Sequence, residues 1–119
     1  MSAILRQNER MSPRGSQSFD SENPDVDIAS GVLGNRTKAL IVRHLWMNGP
    51  SRGVDIVKAT GLQGPTFSLA SQQLEEWGVV TGDLPREMRH GRSVTYTLNE
   101  ERVRGLVDAW MGFISGARP

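Results

Sequence analysis

Apolar residues recur at three- and four-residue spacing through most of this chain and switch to strict alternation in one short stretch. From Pro24 to Leu33 the pattern predicts a short helix, with Val26, Ile28, Val32 and Leu33 available for packing. Asn35 is placed to cap a second helix over Arg36 to Met47, which turns Ile41, Val42 and Leu45 inward and leaves Lys38 and Arg43 to water. Asn48-Gly49-Pro50 ends it, because glycine accepts a left-handed residue and proline cannot continue the helix. Ser51 is read as the cap of a third, short helix whose buried side comes from Val54, Ile56, Val57 and Ala59. Gly61 closes that helix and Leu62 plugs the corner. Gly64-Pro65 opens the next, Pro65 to Trp77, where an early proline sacrifices no hydrogen bond. Its inward set is Phe67, Ala70 or Ser71, Leu74 and Trp77.

Gly78 stops the fourth helix, and Val79-Val80-Thr81 begins a strand. The alternating stretch is its return strand, Ser93 to Leu98, with Val94, Tyr96 and Leu98 on one face and Ser93, Thr95 and Thr97 on the other. A long loop, Asp83 to Arg92, joins the two. Asn99 then caps a last helix with Glu100 and Glu101 in its first turn, where acidic groups suit the helix dipole. Val103, Leu106, Val107, Trp110, Phe113 and Ile114 form its apolar stripe. The expected fold class is mainly α with a small β-hairpin, a winged helix-turn-helix. Residues 1 to 23 are polar, rich in Ser, Arg and Asn, and lack either period. They are expected to form a disordered tail, with Phe19 as the one anchor and a DNA-contacting arm as the alternative. Residues 24–119 are expected to form one winged helix-turn-helix domain with a C-terminal dimerisation helix.

The length of 119 residues suits one domain with a modest core. No apolar run is long enough to span a membrane, and Ala3-Ile4-Leu5 is too short for a signal-peptide core. With no cysteine there is no disulfide framework, thiolate metal site or cysteine nucleophile, and the expected location is cytoplasmic. The net charge of +1 hides a gradient. Three basic and five acidic residues lie in the first 30, which leaves eleven of 14 basic and eight of 13 acidic residues beyond, a surplus of three. Such a surplus is compatible with nucleic acid without demanding it.

A helix-turn-helix holds its second helix in the DNA major groove. On that helix Thr66, Ser68, Gln72 and Gln73 are suitable in kind: glutamine bonds adenine bidentately, and hydroxyls reach bases or phosphates. Leu69 sits among them, ready to touch a thymine methyl. The wing loop carries Arg86, Arg89, His90 and Arg92, and guanidinium groups on such a tip can clamp phosphates or enter a narrow minor groove. Ser51 and Arg52, at the start of the third helix, add a candidate phosphate contact through free backbone N–H groups. The plain alternative for each is a solvated surface.

Residues from about 31 to 116 resemble the winged-helix regulators of the ArsR-like family. The resemblance rests on Asn35-Arg36-Thr37-Lys38-Ala39-Leu40-Ile41-Val42-Arg43-His44-Leu45, on Asp55-Ile56-Val57-Lys58-Ala59-Thr60-Gly61-Leu62 and on Pro65-Thr66-Phe67-Ser68. It continues in Leu74-Glu75-Glu76-Trp77-Gly78-Val79-Val80 and Gly91-Arg92-Ser93-Val94-Thr95-Tyr96-Thr97-Leu98. The family implies a homodimer joined by terminal helices, with two recognition helices in successive major grooves ~34 Å apart. Two departures matter. Where the family carries Arg-His-Leu after the serine, this chain has Leu69-Ala70-Ser71. The metal-sensing cysteines are absent, which excludes a thiolate sensor.

His44 and His90 lie on different elements without a second ligand at helical spacing, so no metal site is expected. Nor is any cofactor, and no serine, histidine and carboxylate set suggests an enzyme. For the dimer interface the expected residues are Leu106, Trp110, Phe113 and Ile114, joined by Leu40, His44 and Trp46; closure of the chain's own core is the alternative. The leading expectation is a homodimeric, sequence-specific double-stranded DNA-binding repressor, its effector unread. Two others remain: an architectural or centromere-type DNA binder, and a winged helix used only for protein contacts.

Overall fold

The computed structural model describes residues 23–116. The expected tail, with Phe19, lies outside the described residues apart from Asn23. That residue caps α1 (Pro24–Leu33), its Oδ1 accepting from the Asp25 amide at 3.1 Å. Asn35 caps α2 (Arg36–Asn48) in the same way, accepting from Lys38 N at 2.9 Å. Strand β1 (Ser51–Arg52), α3 (Gly53–Thr60), α4 (Gly64–Glu76) and β2 (Val80–Gly82) follow. A single 3₁₀ turn, Arg86–Met88, interrupts the loop to β3 (Thr95–Leu98), and α5 (Glu100–Ile114) closes the order, capped by Asn99. The class is mostly helical with a small antiparallel sheet, a winged helix.

The sheet has three strands where the sequence pattern predicts two. Their order is β1-β3-β2, all antiparallel, with Ser51 opposite Tyr96 and Gly82 opposite the other side of Tyr96. A two-residue strand has no readable period, so β1 is invisible to hydrophobic patterning. Its formation corrects the expected cap. Ser51 lies in the sheet, its hydroxyl donating to the Gly49 carbonyl at 2.9 Å, and Arg52 stands at the N-cap without a side-chain capping bond.

Ile41, Leu45, Ile56, Leu74, Val79 and Leu106 are almost wholly buried, and they bring α2, α3, α4, the strands and α5 to one centre. Each such side chain removed from water contributes about 1.5–3 kcal/mol. Helix α1 lays Val26, Ala29 and Val32 against this core and packs along α5. Arg102 ties the junction: its Nε donates to the Trp77 carbonyl at 2.9 Å, and its Nη1 lies 3.0 Å from Asp25 Oδ1.

Three packing expectations change. Lys38 is buried rather than solvated, its ammonium 5.5 Å from the centroid of the Trp77 ring, which holds the charge on a π face in place of water. The same ring presses on Gly31, where a Cβ would stand 3.0 Å from Trp77 Cη2. Val54 and Ala59 are exposed, because an eight-residue helix turns only Ile56 fully inward, with Val57 partly packed. Leu33 is likewise exposed at the end of α1.

Candidate nucleic-acid interface

Helix α4 is built from two opposed sets of side chains. Phe67, Ala70, Ser71 and Leu74 recur at i, i+3, i+4 and i+7 and are buried. Ser71 satisfies its hydroxyl locally by donating to the Ser68 carbonyl at 3.1 Å. Thr66, Ser68, Leu69 and Gln72 are exposed, and Gln73 is half-buried at the edge of the same surface. Leu69 leaves 61% of its area in water, an unusual position for a large aliphatic side chain at the centre of a polar face. No basic residue lies in α4.

The wing is fastened to α4 at two points. Near the start of the helix, Phe67 meets Tyr96 of β3 edge-to-face, with ring centroids 5.7 Å apart at 84°. Two turns further on, Glu75 receives Arg89: Nη1 donates to Oε1 at 2.9 Å and Nη2 to Oε2 at 2.7 Å. Arg89 Nε also donates to the Leu84 carbonyl at 2.7 Å, and its guanidinium lies 5.9 Å from the Tyr96 centroid. The Gly82 amide completes the cluster with a bond to Glu75 Oε2 at 3.3 Å. The hydrogen bonds from Arg89 outweigh the desolvation of burial and hold the Glu75 carboxyl below its ordinary value of 4.5.

These bonds sort the wing cations. The side chains of Arg89 and Glu75 are only 19% and 16% exposed, so Arg89 faces the protein and not the solvent, unlike the sequence expectation. Arg86 is more loosely held, its Nη2 3.4 Å from the Gln72 carbonyl and 4.0 Å from Glu76. His90 and Arg92 are exposed at the tip, where Gly91 takes φ +68° and the Arg92 amide donates to the Arg89 carbonyl at 2.8 Å. Between α4 and the wing lies a polar cleft of about 330 Å³ edged by Ser68, Gln72, Glu75 and Arg86.

Ser51 and Arg52 lie on the opposite edge of the sheet from β2, paired with Tyr96 and Thr95 at the wing end of β3. The Gly53 amide, first in α3, is taken by the Val94 carbonyl at 3.0 Å, so it is not free for a phosphate. Arg52 holds Asp55 through bonds of 3.1 and 3.4 Å while remaining exposed.

The expected interface residues divide as well. Leu106 is fully buried in the chain's own core, so it is not on an outer face. Trp110 packs partly on that core and meets Phe113 at 5.8 Å. Phe113, Ile114 and Trp46 are exposed; Leu40 is half-buried. His44 is half-buried too, its carbonyl accepting from the Asn48 side chain at 2.9 Å. Among the described residues no group of three His, Cys, Asp or Glu is arranged to hold a metal ion. None of the described helices is long and apolar enough to cross a membrane.

Sequence reasoning missed Glu75, Gly82 and Tyr96 as the parts that set the wing on α4. The available signal was the acidic pair Glu75-Glu76 at the end of a cation-free helix, followed by an arginine-rich loop.

Among known structures the chain is similar to NadR, solved in complex with 4-hydroxyphenylacetate. The two share 16% sequence identity over 90% of this chain and 80% of that one, with a TM-score of 0.52. NadR is a MarR-family winged-helix transcriptional regulator, so the likeness supports the winged-helix fold and is not specific to the ArsR-like family. No family model matches the sequence, and no curated protein matches it.

Proposed function

We propose that this chain is a sequence-specific double-stranded DNA-binding protein, a homodimeric transcriptional repressor of the ArsR-like winged-helix type without a thiolate metal-sensing site. The observation that carries the reading is the division of α4. One side is locked to the core and wing, while Thr66, Ser68, Leu69 and Gln72 stand exposed on the other. That is the arrangement needed to present side chains to base edges on a rigid support.

In this reading Gln72 and Leu69 read bases, with Gln73 at the edge of the contact. Thr66 and Ser68 contact bases or phosphates. Arg86 and Arg92 supply charge to the backbone or an adjacent minor groove, with the His90 ring beside them as a hydrogen-bonding contact. Arg89 acts through Glu75 as a positioning residue, and Arg52 is a peripheral phosphate contact. The neighbour's class, a transcriptional regulator, supports the same reading. Action in the cytoplasm follows from it. For the homodimer, the support is the apolar surface left exposed on α5.

Selection of bound duplexes from a random pool tests the function. Recovery of one discrete motif, with preference for it reduced by Gln72→Ala, is the expected result. Recovery of no motif by the folded protein, even at low salt, would refute the reading. Cooperative spreading over tandem repeats would replace the repressor with an architectural role.

A further inference from the structure

Along the exposed side of α4, Pro65, Leu69, Gln72 and Glu76 fall at i, i+4, i+7 and i+11, one line down the helix, and all four are exposed. The centre of that line is one aliphatic side chain followed, a turn later, by one amide. Leu69 keeps 61% of its area in water although Phe67 and Ala70, on either side of it along the chain, are buried.

Guanine is read in the major groove chiefly by a guanidinium or ammonium group donating to O6 and N7. None of the thirteen residues of α4 carries such a group. Two arginines reach the helix from the wing, and neither supplies the missing cation to the Leu69–Gln72 line. Arg89 is held by Glu75 through both Nη atoms. Arg86 Nη2 lies 3.4 Å from the Gln72 carbonyl and 4.0 Å from Glu76, towards the far end of the helix.

What remains on the line matches the other base pair. An A·T pair presents N7 and the N6 amino group of adenine, and the Gln72 amide has both the donor and the acceptor that these require. It also presents the C5-methyl of thymine, an apolar group that an aliphatic side chain can cover. Leu69 and Gln72 are three residues apart, about 4.5 Å along the helix axis. Stacked base pairs are about 3.4 Å apart, so the two side chains reach one pair or two neighbours. Opposite a G·C pair, Leu69 would strip water from O6, N7 or the N4 amino group and return no hydrogen bond. We propose that α4 selects A·T pairs at the centre of its contact, Leu69 packing on the C5-methyl of thymine and Gln72 bonding N6 and N7 of adenine. The proposal rests on the DNA-binding reading above and names the base pairs that its recognition helix takes.

Single-atom changes in the DNA test it. Duplexes carrying the selected motif are remade one position at a time with uracil for thymine, which removes only the methyl, or with 7-deazaadenine for adenine, which removes the N7 acceptor. Affinities are measured by fluorescence anisotropy for wild type, Leu69→Ala and Gln72→Ala, with circular dichroism as the fold control. Wild type is expected to lose about fourfold at one or two uracil positions, the effect of one methyl group buried. It should lose about fivefold at a neighbouring or paired 7-deazaadenine, the effect of one net hydrogen bond. Leu69→Ala should abolish the uracil penalty alone, and Gln72→Ala the 7-deazaadenine penalty alone. Tolerance of uracil at every position by wild type, or a uracil penalty that persists in Leu69→Ala, overturns the proposal. So does the corresponding result for 7-deazaadenine and Gln72→Ala, or a selected motif made only of G·C pairs. Each of these outcomes leaves DNA binding itself standing. Recovery of no motif would instead remove the DNA-binding reading, and this proposal with it.

Discussion

Arg89 grips Glu75 with two parallel hydrogen bonds of 2.9 and 2.7 Å, and this pair joins the wing loop to the last turn of α4. The geometry is the bidentate one that makes guanidinium–carboxylate contacts directional as well as strong. Together with the Phe67–Tyr96 contact two turns earlier, it leaves the wing little freedom to rotate about the helix. An arginine that reads from sequence as a DNA contact is thereby a brace between the wing and α4, while Arg92 stays exposed at the tip.

Arg89→Ala and Glu75→Gln are expected to cost about 1–3 kcal/mol of stability each, between the values for exposed and buried pairs. Both should lower DNA affinity, although Glu75 carries the wrong charge to contact DNA. Urea denaturation and gel shift, run side by side, check this. A Glu75→Gln variant that binds more tightly through reduced repulsion would argue against the brace.

The pair also sets a pH window. The folded state holds the Glu75 carboxyl below its ordinary value of 4.5, chiefly through the Arg89 hydrogen bonds. A group whose folded pKa is depressed contributes stability that is fully present above the unfolded pKa and is lost as pH falls through the folded one. Urea midpoints of wild type should therefore fall below about pH 4.5. In Glu75→Gln this contribution is missing, so the gap between the two proteins should narrow with acidification.

Gly82→Ala should reproduce the effect of removing Arg89. A Cβ there would collide with the Arg89 guanidinium and stand 3.0 Å from Val94 Cγ1 and 3.1 Å from Glu75 Oε2. An arginine terminus yields readily in isolation, but here yielding breaks the pair. The expected destabilisation is about 1–3 kcal/mol, typical of overpacking. Combined with Arg89→Ala, the substitution should add little, a non-additivity that a double-mutant cycle measures.

Much of the helical framework was legible in the sequence. Asn35 and Asn99 read as caps, and both accept the amide bond that a cap requires. The inward set of α4 followed from its period, down to buried Leu74 and partly packed Trp77. What the sequence concealed depends on contacts across long separations. Arg89 and Arg92 look alike in one loop, and only a carboxylate 14 residues back distinguishes them. Lys38 reads as a surface residue until Trp77 supplies a π face for it. Leu106 and Ile114 share a stripe, but the chain's own core covers the first and leaves the second exposed. Strand β1 is too short to show any period.

DNA binding through a wing cation is tested most directly by the salt dependence of affinity for a selected duplex, measured for wild type and Arg92→Ala. Arg92 is exposed at the tip with no ion pair among the described residues, so its removal should leave the fold intact. For wild type, log affinity is expected to fall steeply and linearly with log salt. In Arg92→Ala the slope should be shallower by ~0.9 for each phosphate that the variant no longer neutralises. An unchanged slope and affinity in Arg92→Ala, or no binding by wild type at low salt, would contradict a wing that grips DNA through its exposed arginine.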